Sequence, residues 1–177
     1  MNIARLVKQA RRGDKEALLQ LIIAKKDEYY RLALTYTGNE HDAMDTMEEM
    51  IVSVYDNIEK LRDAEAFYSW SKTILVNNCR ALTRKKQKVV LVDEWEEINT
   101  HASTINPYTN SEHQMDIQML LEQSNDQQKE AIQLKYFHDF DNQTIAKITN
   151  VSIGTVKSRI FQGLKKLRKY YGGDGNE

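Results

Sequence analysis

From Asn142 to Gly173 the chain carries seven basic residues and no acidic one. Lys157, Arg159, Lys165 and Lys166 lie there among Thr155, Ser158, Phe161 and Gln162. Cations meet phosphates, while hydroxyls and amides reach base edges, so this mixture suits reading a DNA duplex. Just before it, Thr144 to Ile160 has the pattern of a helix-turn-helix. Ile145, Ala146 and Ile148 pack the first helix, Asn150 takes the strained turn, Val151 plugs the corner and Ser152 caps the second helix. Advancing about 100° per residue puts Val156, Ile160, Gly163, Leu164 and Leu167 on one side of that helix. Thr155, Ser158, Gln162, Lys165 and Lys169 fall opposite, flanked by Lys157, Arg159, Phe161 and Lys166. The competing reading is a solvated basic helix, which explains neither the turn nor the one-sided packing.

A second set lies upstream. Phe67-Tyr68-Ser69-Trp70 is followed by Asn77-Asn78, and residues 67–92 hold six basic side chains and no acid. Aromatic rings beside cations fit single-stranded DNA, whose unstacked bases need π surfaces. Phe67 and Trp70 share a helical face with Ile74 and Ala81, so the core is the expected place for both rings. Lys72, Asn77, Arg80 and Arg84 lie off that face and are the expected DNA contacts.

A third set is acidic. Residues 40–59 contain seven acidic side chains and no lysine or arginine. Met44, Met47, Ile51, Val54, Ile58 and Leu61 form one apolar seam, with Asp42, Asp45, Glu49 and Asp56 expected opposite. Such a face either stays solvated or docks on a basic partner.

No set of residues resembles a catalytic centre. His41, His101, His113 and His138 are scattered over separate segments, and none stands with a nucleophile or base. Cys79 is the only cysteine, which excludes an internal disulfide and a cysteine zinc site. The expectation is a non-enzyme with no metal and no cofactor. The N-terminus lacks an apolar signal core, and no run approaches the roughly 20 apolar residues of a membrane span. These features point to a cytoplasmic protein without membrane insertion.

The elements that must carry these sets are helical. The 177 residues include only seven glycines and one proline, too few for the turns of a β-rich fold. The expected class is all-α: two small helical domains joined by a flexible acidic linker. Apolar spacing with breaks at Gly13-Asp14, Gly38-Asn39 and Arg62–Glu65 places several helices in residues 1–88. Residues 89–113 read as the linker, with five acids, no lysine or arginine, and the lone Pro107. Within it Val89–Val92 has the composition of a short strand. Residues 114–171 return to helix, with Ile117, Leu120 and Leu121 on one stripe and Ala131, Ile132, Leu134 and Tyr136 on another. Residues 172–177 read as a disordered tail.

The order Asp42-Ala43-Met44-Asp45 with Glu48-Glu49, then Phe67-Tyr68-Ser69-Trp70, then Gly154-Thr155-Val156-Lys157-Ser158-Arg159 resembles the extracytoplasmic-function sigma factors of the sigma-70 family. Thr144, Ile153 and the Met50-Ile51 pair depart from residues common there. The resemblance implies that residues 1–88 are sigma region 2 and residues 114–171 region 4. It implies that Asp42, Asp45, Glu48, Glu49 and Asp56 dock on the β′ coiled coil of core RNA polymerase. The loop Arg62–Ala66, with Asp63 and Ala64, would capture with Asn77 a base flipped from the minus-ten element. Lys72, Arg80, Arg84 and Lys85 would hold nearby DNA. Thr155, Lys157, Ser158, Arg159, Phe161, Gln162, Lys165 and Lys166 would read the minus-thirty-five element. The implied partners are core polymerase, through β′ coiled coil and β flap, promoter DNA, and a membrane-bound anti-sigma factor, in a stress or envelope response. Two other functions fit the residues alone: an operator-binding regulator that works without polymerase, and a helical scaffold that uses only the acidic surface.

Overall fold

The computed structural model describes residues 1–93, 121–122 and 124–171. The expected linker centre, the tail, Ile117 and Leu120 lie outside the described residues. The chain divides into two units, Met1–Pro107 and Tyr108–Glu177. No strand occurs among the described residues.

The first unit begins with a helical hairpin, α1 (Ile3–Ala10) and α2 (Lys15–Ile23). Gly13 turns the chain at φ +90°, and Asp14 caps α2 by accepting from the Ala17 amide at 3.1 Å. Next come α3 (Lys26–Thr37) and α4 (Glu40–Asn57). Between them Gly38 adopts φ +72° and Asn39 caps α4, accepting from the Asp42 amide at 2.9 Å. A glycine with positive φ followed by an Asp or Asn cap is what the breaks at Gly13 and Gly38 require. Two short 3-10 turns, Ile58–Lys60 and Ala64–Ala66, lead into the long α5 (Phe67–Asp93). Helices α3, α4 and α5 pack mutually around Tyr29, Leu32, Met50, Val54, Phe67, Leu75 and Cys79, all fully buried. Tyr29 and Ser71 share a hydrogen bond of 2.6 Å in this core. Ser71 donates its own proton to the Phe67 carbonyl, so Tyr29 is the donor.

Four expectations need correction. Val89–Val92 is not a strand: α5 runs through it to Asp93. β-branched residues lower helix propensity by tenths of a kcal/mol each, too little to stop a helix already under way. The α4 seam is rotated. Ala43, Thr46, Met47, Met50 and Val54 are buried, whereas Met44 and Ile51 are exposed. Small residues let α3 and α5 approach closely, so the packed face centres on them rather than on the largest side chains. On α5 the core face is Phe67, Ser71, Leu75 and Cys79; Ala81 is exposed, and Trp70 and Ile74 are half-buried. In the second unit Tyr136 is exposed, because the helix changes its winding there.

That unit holds α6 (Asp126–Ile132), which passes into a wider π-wound turn, Gln133–Phe137. Asp139 then takes φ +55°. The wider turn buries Leu134 and Phe140 and turns Tyr136 outward. Helices α7 (Asn142–Thr149) and α8 (Ile153–Tyr171) follow, and α6 and α7 both pack against α8. Gly163 lies at the crossing of α6 and α8. A Cβ there would lie 2.5 Å from Ile132 Cδ1 and 3.3 Å from Gln128 Cβ, inside contact distance.

Candidate nucleic-acid and polymerase interface

The turn between α7 and α8 is built as its residues dictate. Asp141 caps α7, its Oδ1 accepting from the Thr144 amide at 2.6 Å. Asn150 ends α7 at φ +54°, ψ +48°, a left-handed conformation that asparagine tolerates. The Val151 amide reaches back to the Ala146 carbonyl at 3.1 Å. Ser152 starts α8 by accepting from the Thr155 amide at 3.1 Å. Val156, Ile160 and Gly163 are buried against α6 and α7, and Leu164 and Leu167 are half-buried. The opposite side is open. Lys157, Ser158, Phe161, Gln162, Lys165 and Lys166 are exposed, while Thr155 and Arg159 are half-buried. Phe161, at 64% exposure, is a large apolar ring that the packing of this unit leaves unused.

The cap at Asp141 is sensitive to acid. The Thr144 amide stabilises the carboxylate and lowers its pKa below the ordinary value of 3.8. A folded-state pKa below the unfolded one adds stability above the unfolded pKa, and that stability is lost as pH falls through the folded value. Asp141→Ala is expected to cost roughly 0.5–2 kcal/mol at neutral pH. Its melting temperature should also fall less than the parent's on acidification below about pH 4, as measured by thermal melts across that range.

On α5 the expected DNA contacts divide by direction. Asn77, Arg84, Lys85 and Lys88 are exposed, and Arg80 is half-buried. Trp70 shares the outward side with Asn77 and is only half-buried, so it has a ring surface available beside them. Lys72, expected to hold DNA, instead turns inward. Its ammonium lies 2.7 Å from Glu28 of α3, and its side chain is 11% exposed. Burial would raise the Glu28 pKa, but hydrogen bonds from Lys25 and Lys72, with their charges, bring it below the usual carboxylate value. In the approach to α5 Asp63 is exposed and Ala64 half-buried, and Asp63 Oδ1 accepts from the Glu65 amide at 3.0 Å.

On α4, Asp45, Glu48, Glu49 and Asp56 are exposed along one side. Asp42 is not among them. It is buried in the first turn of α4, where it pairs with Lys86 and accepts from Asn39 Nδ2 at 2.7 Å. A carboxylate two residues into a helix points where the neighbouring helix crosses, which rotation about a straight axis does not reveal.

One feature was missed from sequence. Beside the acidic row runs an apolar strip of Ile51, Val52 and Tyr55, which faces Leu18, Leu19 and Ile22 of α2 across a groove of about 380 Å³. Val52 is 60% exposed and Ile23, next on α2, 59%. The signal was present in the doublets Leu18-Leu19 and Ile22-Ile23, which place apolar residues on more of α2 than one core can cover. Exposed apolar residues gathered at one place mark an interaction surface.

Residues 21–89 match the family described as Sigma-70 region 2, and residues 114–167 match Sigma-70, region 4. The RNA polymerase sigma factor SigV of Bacillus subtilis is 30% identical over 154 residues, covering 87% of this chain and 90% of SigV. The chain belongs to the extracytoplasmic-function sigma factors of the sigma-70 family. The ECF RNA polymerase sigma factor SigW of the same species is also 30% identical, over 96% of each protein. Two solved structures share the fold of this sigma factor. CnrH, in complex with the cytosolic domain of CnrY, has a TM-score of 0.66 at 19% identity, over 98% of this chain and 99% of CnrH. RpoE of Bartonella quintana, in complex with the anti-sigma factor NepR, has a TM-score of 0.66 at 23% identity, over 90% and 97% of the two chains. Among the described residues of the sigma factor, no group of His, Cys, Asp and Glu is placed to hold a metal. No described helix is long and apolar enough to cross a membrane.

Proposed function

We propose that this sigma factor brings core RNA polymerase to promoters by gripping the enzyme with α4 and the promoter with α5 and α8. The observation that carries this reading is the separation of charge onto outward faces. Asp45, Glu48, Glu49 and Asp56 face solvent on α4 beside the apolar strip. Arg84, Lys85 and Lys88 face solvent on α5, and Lys157, Lys165 and Lys166 on α8. An acidic row next to exposed apolar side chains suits a basic, partly apolar protein surface, here the β′ coiled coil. A net charge of -1 over the whole chain gives little attraction to free DNA. Once both units are held on the enzyme, the second DNA contact becomes intramolecular and needs no high intrinsic affinity.

In this scheme residues 1–88 serve as region 2. Asp63, Ala64 and Asn77 hold a base extruded from the minus-ten element, and Arg80, Arg84 and Lys85 hold the adjoining strand. Extrusion costs a few kcal/mol, so a pocket for the base selects sequence at the melting step. Residues 114–171 serve as region 4. Lys157 and Arg159 read and clamp the minus-thirty-five duplex with Thr155, Ser158, Phe161, Gln162, Lys165 and Lys166, and the unit docks on the β flap. Residues 89–113 bridge the two. Work on a chromosome places the protein in the cytoplasm. The solved complexes of similar fold, with CnrY and with NepR, support control by an anti-sigma factor, membrane-bound for an envelope signal.

The test is duplex binding with and without core enzyme. At physiological salt the protein alone should bind promoter fragments no better than random duplex, and core polymerase should confer promoter preference. Tight, sequence-specific binding by the protein alone would favour an operator-binding regulator.

A further inference from the structure

Two lysines of the cationic helix α5 pair with carboxylates of neighbouring helices. Lys72 meets Glu28 of α3, and Lys86 meets Asp42 of α4. They are about 21 Å apart along the helix axis, so α5 is fastened at two points to two different helices. Between these points Leu75, Val76 and Cys79 are fully buried. Beyond Thr83 that support stops, and residues 84–89 are all exposed. Lys86 reaches back from this unsupported stretch, and its neighbours Arg84, Lys85 and Lys88 point outward.

The acceptor is built for this purpose. The Asp42 side chain is 9% exposed. Asn39 fixes it from both ends: its Oδ1 accepts from the Asp42 amide, and its Nδ2 donates at 2.7 Å to Asp42 Oδ2, the oxygen that also accepts from Lys86. Burial would raise the Asp42 pKa, but the bonds from Lys86 and Asn39 and the Lys86 charge lower it, so the carboxylate is ionised at neutral pH. A charge held in place before its partner arrives loses little entropy on pairing, unlike two mobile surface side chains.

We propose that Asp42 and Lys86 form a positioning pair, which sets the direction of the cationic end of α5 against α4 so that Arg84, Lys85 and Lys88 meet promoter DNA during strand opening. The pair rests on the sigma-factor reading and goes beyond it. It moves Asp42 from polymerase docking to promoter opening, and it joins the helix that grips the enzyme to the helix that grips the DNA.

The test uses full-length Asp42→Asn, Lys86→Met, the double variant and Lys86→Arg. Two quantities are measured: affinity for core polymerase, and permanganate reactivity of unpaired thymines at a promoter the parent opens. Core affinity should stay within about twofold for all four. Opening should fall at least about fivefold in each single variant and no further in the double, because both changes break one contact. Lys86→Arg should retain most opening, since it keeps the charge. Additive losses would make Lys86 an independent DNA contact and overturn the pair. Loss of core affinity in Asp42→Asn alone would return Asp42 to docking, and undiminished opening would also refute the proposal. Should Asp42→Asn not fold, Lys86→Met against Lys86→Arg decides, because Lys86 is 56% exposed. A parent protein that opens no promoter with core enzyme would instead refute the sigma-factor reading itself.

Discussion

Lys157→Glu combined with Arg159→Glu is expected to reduce promoter-directed transcription by about 100-fold or more while leaving core affinity unchanged. Both residues sit in the first turns of α8, on the margins of the side opposite Val156 and Ile160. A base or phosphate contact in such a place contributes roughly 1–3 kcal/mol. Losing two of them costs roughly 2–6 kcal/mol, and about 2.7 kcal/mol is already two factors of ten. Reversal adds repulsion from the phosphates, and each lost phosphate contact should also flatten the salt dependence of promoter binding by about one unit of slope. Lys157 is exposed and Arg159 half-buried, so Lys157→Glu alone, with an unchanged melting temperature, separates lost contact from lost fold. Single-round transcription at several salt concentrations is the measurement. Full activity in the double variant would show that α8 does not touch the promoter.

Asp45→Arg with Glu49→Arg is the second large effect, and it should fall on the other partner. These residues are one turn apart on the exposed acidic side of α4. Neither forms an ion pair with a lysine or arginine among the described residues; Asp45 lies 3.4 Å from the exposed His41. Their charges are therefore available to a basic partner. Exposed charges steer association and contribute modestly one at a time, but reversing two opposite a basic surface replaces two attractions with two repulsions. Core affinity should fall by about 10- to 100-fold, mostly through slower association, and high salt should reduce the difference between variant and parent. Binding of α8 to minus-thirty-five duplex should not change. A fluorescence titration of labelled protein against core enzyme reads the effect. Equal affinity would mean that the apolar strip of Ile51, Val52 and Tyr55, or another face, carries the docking.

What was legible in the sequence was its punctuation. Gly13 and Gly38 stand where the backbone needs positive φ, Asp14 and Asn39 beside them cap the helices that follow, Asn150 makes the turn before α8 and Ser152 caps it. These are local requirements satisfied by particular residue types, so reading along the chain finds them. The face of α8 was legible for a related reason. Its packed side is drawn by Val156, Ile160 and Gly163, and the exposed apolar residues Ile153, Phe161 and Tyr170 form no second stripe.

Apart from the helical Val89–Val92 run, the errors were long-range. On α4 two apolar stripes run side by side, one buried and one exposed, and regular spacing drew a line between them through Met44 and Ile51. Only the close approach of α3 and α5 to Ala43 and Thr46 decides which stripe is core. Lysines are ordinarily solvated, so nothing in the sequence marked Lys72 and Lys86 as paired with carboxylates of other helices. Their partners, Glu28 and Asp42, lie 44 residues away in each case. The π-wound turn at Gln133–Phe137 likewise left no mark in the apolar spacing, and it turns Tyr136, which lies within it, outward.

Mapping of transcript starts with purified core polymerase, with and without this protein, on a library of genomic fragments tests the central claim most directly. The account predicts a distinct set of starts that appear only when the protein is added, and that vanish with the Asp45/Glu49 and Lys157/Arg159 variants alike. An identical set of starts in its presence and absence would contradict it.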